Sequence, residues 1–153
     1  MTVAQIIERA DVGSSTFYAH FETKDELLDQ MCREIFGHIF EGVNEHCVTH
    51  PTLVTEGLEG KLTHLLYHLR DTRGGVCGKL VREGEPHFTA YFEAQLDVLF
   101  AKSGPSSAAG VPAEFARVLL VSSFSHAVSW WFAGGAKEDP EQVAAWYIAQ
   151  MGL

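Results

Sequence analysis

The chain has 153 residues, of which 46% are hydrophobic and 10 are phenylalanine, so it can bury a core and is not disordered throughout. The 11 Lys and Arg residues stand against 20 Asp and Glu residues, and the net charge of −9 excludes a general binder of polyanions, because such binding depends on neutralising phosphates. Three cysteines without a short paired spacing, and an N-terminus without an apolar signal core, predict reduced thiols in a cytoplasmic protein.

The N-terminal region predicts two short helices and the beginning of a long one. Residues 2–5 have the capping-box pattern Thr-Val-Ala-Gln, which starts a helix that residues 11–13 interrupt. Residues 14–21 form the second short helix, and the capping box of residues 23–26 starts the long helix. The two short helices would share a small core made of Val3, Ile6, Ile7, Ala10, Val12, Phe17 and Phe21.

The rest of the chain also predicts helices. A stripe of leucines from Leu58 to Leu69 marks one helix, a short segment covers residues 76–81, and Pro86 opens another helix that runs to about Lys102. After a linker at residues 103–112 come a nearly all-apolar helix, Ala113–Ala133, and a last helix that starts at Pro140. Residues 118–136 carry no charge, but their serines and histidine favour a buried helix over a membrane span.

Two short helices joined by a tight turn, followed by a capped long helix, are typical of a helix-turn-helix. If the apolar positions face inward, the second helix turns a set of polar side chains outward. Their hydroxyl, phenol and imidazole groups are good partners for phosphate oxygens and base edges. The set comprises Ser14, Ser15, Thr16, Tyr18 and His20.

One dense run of residues is similar to a known family. The run Thr16-Phe17-Tyr18-x-His20-Phe21-x-x-Lys24-x-x-Leu27-Leu28 resembles the signature of the TetR/AcrR, or tetracycline-repressor, family of bacterial transcription regulators. That resemblance implies an all-α fold, with a helix-turn-helix DNA-binding head at residues 1–33 and a helical effector-binding and dimerisation body at residues 34–153. It also implies DNA contacts by Thr2, Ser14, Ser15, Thr16, Tyr18, His20 and Lys24.

The chain departs from the family pattern at three places. No counterpart of the family's first helix precedes Thr2, so we expect an incomplete head, with residues 1–21 mobile or docked elsewhere and weak operator binding. Asp11 stands where glycine is usual at the helix end, at a cost of about 1 kcal/mol. Gly13 replaces the usual serine cap, which costs a few tenths of a kcal/mol.

The resemblance implies a small-molecule-responsive repressor that binds a palindromic double-stranded DNA operator as a homodimer. The alternative is a dimeric ligand-binding protein that has lost DNA binding together with its first helix. The sequence has neither a Gly-x-Ser-x-Gly nucleophile elbow nor a phosphate-binding loop, so we expect no enzymatic activity. We also expect neither a cofactor nor membrane association.

Aromatic and histidine side chains of the body could line an effector pocket or simply fill the core. The predicted pocket comprises His64, Tyr67, His68, Phe88, Phe92, Phe124, His126 and Trp130, and such a lining suits an apolar or aromatic effector. The last two helices carry more apolar surface than one small body can cover, which favours dimerisation through them. The predicted interface comprises Phe124, Val128, Trp131, Val143, Trp146 and Tyr147.

The eight histidines raise the question of metal sensing. Cys47 and His50 are close in sequence, and His64 and His68 share a helix face. However, the chain lacks the glutamate of a zinc-protease motif and a second Cys/His pair with zinc-finger spacing. Hydrogen-bonded or solvated histidines are therefore the preferred interpretation, and we predict no metal ligand.

Overall fold

The computed structural model describes residues 2–41, 47, 49–72 and 75–153. For residues 35–41, in the last turns of the first long helix, it describes the backbone only. Over these ranges the fold is all-α, as the sequence predicts. The helices are α1 Val3–Ala10, α2 Ser14–His20, α3 Lys24–Glu41, α4 Gly57–Arg70, α5 Val76–Arg82, α6 Pro86–Ser103, α7 Ala113–Ala133 and α8 Pro140–Met151.

The first two helices begin and end at the residues that the sequence indicates. The Thr2 hydroxyl accepts a hydrogen bond from the Gln5 amide at 3.3 Å, and the Gln5 side chain accepts one from the Thr2 amide at 2.8 Å. Asp11 ends α1 in the left-handed conformation with φ 52°. Gly13 precedes α2 and supplies no side-chain cap. The expected departures at Asp11 and Gly13 are therefore present as backbone features.

Phe17 is the buried centre of the N-terminal helices. Its ring packs against Tyr18, with centroids 5.2 Å apart, and against Phe21 at 5.7 Å. Val3, Ile6 and Ile7 are half-buried, and none of the residues of α1 is fully buried. Ala10 and Val12, which the sequence placed in the same core, are exposed. The small core expected from the sequence is therefore concentrated on α2, whose polar side faces solvent.

The six helices from α3 to α8 share a single apolar core. On α4 the leucines from Leu62 to Leu69 are completely buried, as the spacing predicts, while Leu58 is partly buried. α4 packs against α8, and α6 packs against α3 and α7. α3 contributes Leu28 and Cys32 to this core although it begins directly after α2. α3 therefore runs through the predicted boundary between residues 33 and 34, and that boundary stays a prediction.

The last two helices bury one side each and leave the other open. α7 buries Phe124, Val128 and Trp131 against the body, and the Trp131 indole N–H donates to the Glu138 carbonyl at 3.0 Å. The opposite side of α7 exposes Phe115, Leu119 and Trp130. None of the described helices has the length and apolar character needed to cross a membrane.

Candidate functional site

The exposed side of α2 brings together the polar residues that the sequence singles out. Ser14, Ser15 and Thr16 form its first turn, and all three are exposed. Tyr18 is 57% exposed, and His20 lies exposed in the last turn. Since Phe17 anchors the opposite side of the helix, these five side chains form one outward-facing polar surface. Hydroxyl and imidazole groups in such a position suit contacts with phosphates and base edges.

Thr2 and Lys24 lie at helix starts on either side of α2, and both already have partners. The Thr2 hydroxyl is used in the capping box of α1. The Lys24 ammonium group donates to a Glu85 carboxylate oxygen at 3.3 Å, and the Lys24 side chain is 30% exposed. A phosphate contact by Lys24 would have to compete with this ion pair to the body, which the sequence did not suggest.

Comparisons with known proteins give the same assignment at two levels. Residues 1–31 match the family model described as bacterial regulatory proteins, tetR family. The whole chain is similar to a TetR transcriptional regulator of known crystal structure from Streptococcus agalactiae 2603V, with 27% identity and a TM-score of 0.71 over 99% of this chain and 81% of that one. The N-terminal helices therefore match the TetR family model, and the whole fold is similar to that of a TetR regulator. No curated protein matches this chain.

Two ion pairs join α3 to the start of α6. Glu85 caps α6, since one of its carboxylate oxygens accepts from the Phe88 amide at 2.8 Å and the other from Lys24. Burial opposes the charged form of Glu85, but the Phe88 amide and the Lys24 ammonium outweigh it and lower the pKa of that carboxyl. In the second pair, Asp29 of α3 accepts a hydrogen bond from the His87 ring at 2.8 Å, and this bond raises the pKa of His87.

A cavity of about 250 Å³ lies behind this junction, among α5, α6 and α7. Three residues of the predicted effector pocket line it, namely Phe88, Phe92 and His126. Its other lining residues are mostly small or polar, and one of them, Gly84, precedes the capping residue Glu85. The complete lining is Val81, Gly84, Phe88, Thr89, Phe92, Glu93, Ser125, His126, Val128 and Ser129.

The other predicted pocket residues lie away from this cavity. Phe124 is fully buried in the core, and Trp130 is 57% exposed on the open side of α7. The Tyr67 hydroxyl donates to Glu141 at 2.7 Å, a bond that ties α4 to α8 and raises the pKa of Tyr67. His64 and His68 face Cys47 and His50 instead of the cavity. These five side chains are thus spread over the core, the surface and a separate polar cluster.

Of the residues predicted for the dimer interface, most are buried in the chain's own core and one is exposed. Phe124, Val128 and Trp131 fill the chain's own core and have almost no surface left to offer a second copy. Val143 and Tyr147 are also buried, although they form the floor of a shallow apolar hollow. Trp146 is 48% exposed, and its ring lies 6.5 Å from that of Trp130. The exposed apolar surface is therefore the α7–α8 face, which we define as Phe115, Leu119, Trp130 and Trp146.

Proposed function

We propose that this chain is a homodimeric repressor that binds a palindromic operator through α2 and releases it when a small molecule occupies the body. The observation that carries the proposal is the polar surface of α2. Within its seven residues, α2 exposes three hydroxyl side chains, a phenol and an imidazole to solvent. The buried ring of Phe17 packs on the other side of the helix. The protein acts by binding, and we expect it to catalyse no reaction.

The α7–α8 face supports the homodimer. Four large apolar side chains on two adjacent helices are unusual on the surface of a monomer and are typical of an interface between subunits. The hollow that Trp130 and Trp146 line, of about 750 Å³, gives a partner helix a place to pack. A two-fold dimer through this face would place two copies of α2 on one duplex, which matches a palindromic operator.

The cavity behind Glu85 supports the response to a small molecule. Its rings, Phe88 and Phe92, suit an apolar or aromatic effector, while Glu93 and His126 can orient one polar group of it. Phe88 also donates its amide to Glu85, the residue that holds Lys24 at the start of α3. An effector that displaces Phe88 would therefore disturb the contact between the body and the helix that follows α2.

Operator binding is tested with the DNA upstream of the protein's own gene, by fluorescence anisotropy at one salt concentration. We expect the protein to prefer this DNA over an unrelated duplex. Tyr18→Phe removes one exposed hydroxyl and should weaken binding about five- to tenfold, the value of roughly one hydrogen bond. The matched control, Tyr67→Phe, removes a hydroxyl that is bonded to Glu141 in the body and should leave operator affinity unchanged.

Two results would contradict the proposal. Equal affinity for the upstream and unrelated duplexes would show that α2 reads no sequence. Complete absence of DNA binding by a folded dimer would favour the alternative, a ligand-binding protein that no longer acts on DNA.

A further inference from the structure

Four potential metal ligands lie close together beside the C-terminal half of α4. Cys47 and His50 follow α3, while His64 and His68 lie one turn apart on α4. One ligand atom from each residue, a sulfur or a ring nitrogen, lies within 4.8 Å of each of the others. The sequence showed the two pairs separately, and only the tertiary fold brings them together.

The distances within this cluster centre on the Nε2 atom of His68. That atom lies 3.0 Å from Nε2 of His64, 3.2 Å from Sγ of Cys47 and 3.3 Å from Nδ1 of His50. A ring nitrogen carries either one proton or one lone pair, so it cannot make three good hydrogen bonds at once. Around a tetrahedral zinc ion, by contrast, bond lengths of 2.0–2.3 Å place neighbouring ligand atoms about 3.3–3.6 Å apart. The three spacings from His68 lie at or just below that range, whereas Sγ of Cys47 lies 3.9 Å from Nδ1 of His50, just above it.

The surroundings of the cluster also resemble those of a closed metal site. Cys47, His64 and His68 are only 6%, 6% and 9% exposed. The second ring nitrogen of His50, Nε2, donates to an Asp71 carboxylate oxygen at 3.1 Å. A carboxylate that accepts from the outer nitrogen of a histidine is the usual support of a metal-bound imidazole, because it fixes the tautomer and the orientation of the ring. Asp71 is itself held by Arg70 at 2.9 Å.

Cys47 is the thiol of this chain that is placed for metal binding. Cys32 and Cys77 lie in the apolar core, where burial raises the pKa of the first to about 12 and of the second to about 11. Neither belongs to a group of nearby histidines and carboxylates in the part of the chain that the structure describes. A metal–sulfur bond detected in this protein would therefore identify Cys47.

We propose that Cys47, His50, His64 and His68 bind one zinc ion in tetrahedral geometry, and that the ion fastens the segment after α3 to α4. One thiolate and three imidazoles form a borderline-soft set that suits zinc and does not suit magnesium or calcium, which prefer oxygen ligands. Because the chain supplies all four ligands, no position is left for a reacting water, and the site is structural or regulatory. Binding requires the Cys47 thiol to give up its proton to solvent.

The test is a titration of the chelator-treated full chain with cobalt(II), which replaces zinc and is coloured. We expect one equivalent to bind, with the strong visible absorption of a tetrahedral complex and a thiolate-to-cobalt charge-transfer band that zinc then removes. Cys47→Ser should abolish the charge-transfer band, and Asp71→Asn should weaken affinity about 10- to 100-fold. The control, His126→Gln, changes a histidine on α7 outside the cluster and should bind cobalt as the wild type does.

A second measurement on the wild-type protein guards against variants that fail to fold. X-ray absorption of the zinc-loaded chain should show one sulfur at about 2.3 Å and three nitrogens at about 2.0–2.1 Å. A weak, octahedral cobalt spectrum, a zinc shell without sulfur, or a charge-transfer band that survives in a folded Cys47→Ser variant would each overturn the proposal. None of these measurements involves DNA, so their outcome is independent of operator binding.

Discussion

Gly78 lies on α5 at its contact with α7, where a side chain would meet an aromatic ring. A Cβ atom at this position would lie 2.7 Å from the ring of Phe132, which is itself buried. We expect Gly78→Ala to lower the free energy of unfolding by about 1–3 kcal/mol, because the ring has little room to move in a packed core. Urea unfolding followed by circular dichroism measures the change.

Gly37→Ala is the matched control for this substitution. Gly37 lies within α3, and among the described residues a Cβ atom there would meet nothing within 4 Å beyond its chain neighbours and its own helix backbone. Alanine should stabilise the helix by about 0.5–1 kcal/mol, since glycine has more conformational freedom to lose. A Gly78→Ala variant as stable as the wild type would show that α5 can shift away from α7.

Single residues also show how far the sequence could be interpreted. The left-handed conformation of Asp11 was predictable, because its position at the end of a helix demands a residue that tolerates positive φ. The orientation of the tryptophan pair was not. Trp130 and Trp131 are neighbours on a helix that is apolar on nearly every side, and only packing decides that Trp131 is buried and Trp130 exposed.

At the scale of helices, local signals predicted the bounds of α6, α7 and α8. Prolines open α6 and α8, and Gly134 and Gly152 follow the ends of α7 and α8. The contacts between helices were less accessible. The ion pair of Lys24 with Glu85 joins residues that are far apart in sequence, and only the packing of α3 on α6 creates it. The family resemblance assigns Lys24 to a phosphate, and that contact stays a prediction.

The second α3–α6 ion pair predicts a dependence of stability on pH. Because the hydrogen bond to Asp29 raises the pKa of His87 above 6.5, its stabilisation is complete below that pH and is lost as the pH rises through the higher value of the folded state. Both side chains are about one third exposed, so solvent screening limits the effect to about 0.5 kcal/mol, or 1–2 °C. We expect His87→Gln to lower the melting temperature at about pH 5.5 and to change it little at about pH 8.5.

Thermal melts of the wild type, His87→Gln and Asp29→Asn at both pH values check this expectation. The two variants remove the same ion pair from opposite sides and should show the same pH dependence. A loss of stability in His87→Gln that is equal at both pH values would indicate lost packing instead of a lost charge.

At the scale of the whole molecule, the α7–α8 face predicts the oligomeric state. Trp146→Glu places a charge in the apolar hollow beside Trp130, and desolvating that charge in a dimer interface would be costly. We expect the wild type to sediment as a dimer at micromolar concentration and Trp146→Glu as a folded monomer. Val54→Glu, which adds the same charge at an exposed valine outside the face, should remain dimeric.

A monomeric wild type, or a Trp146→Glu variant that stays dimeric, would contradict this use of the face.

The tertiary fold also explains which sites the sequence could not predict. The cavity combines α5, α6 and α7, and the Cys47 cluster combines two segments that are separated along the chain. Helical spacing relates only those members that share one helix, such as His64 and His68, so it carries no information about contacts between elements. The α2 surface, in contrast, lies within seven consecutive residues.

The shared helix α3 has a mechanical consequence. Its 18 residues span about 27 Å, with one end beside α2 and the middle embedded in the body through Leu28 and Cys32. A rigid helix that pivots at Cys32, about 12 Å from Lys24, converts a rotation of about 5° into a displacement of about 1 Å at Lys24. Hydrogen bonds to DNA tolerate only a few tenths of an ångström. A small angular change in the body is therefore amplified into a misalignment that a rigid duplex cannot follow.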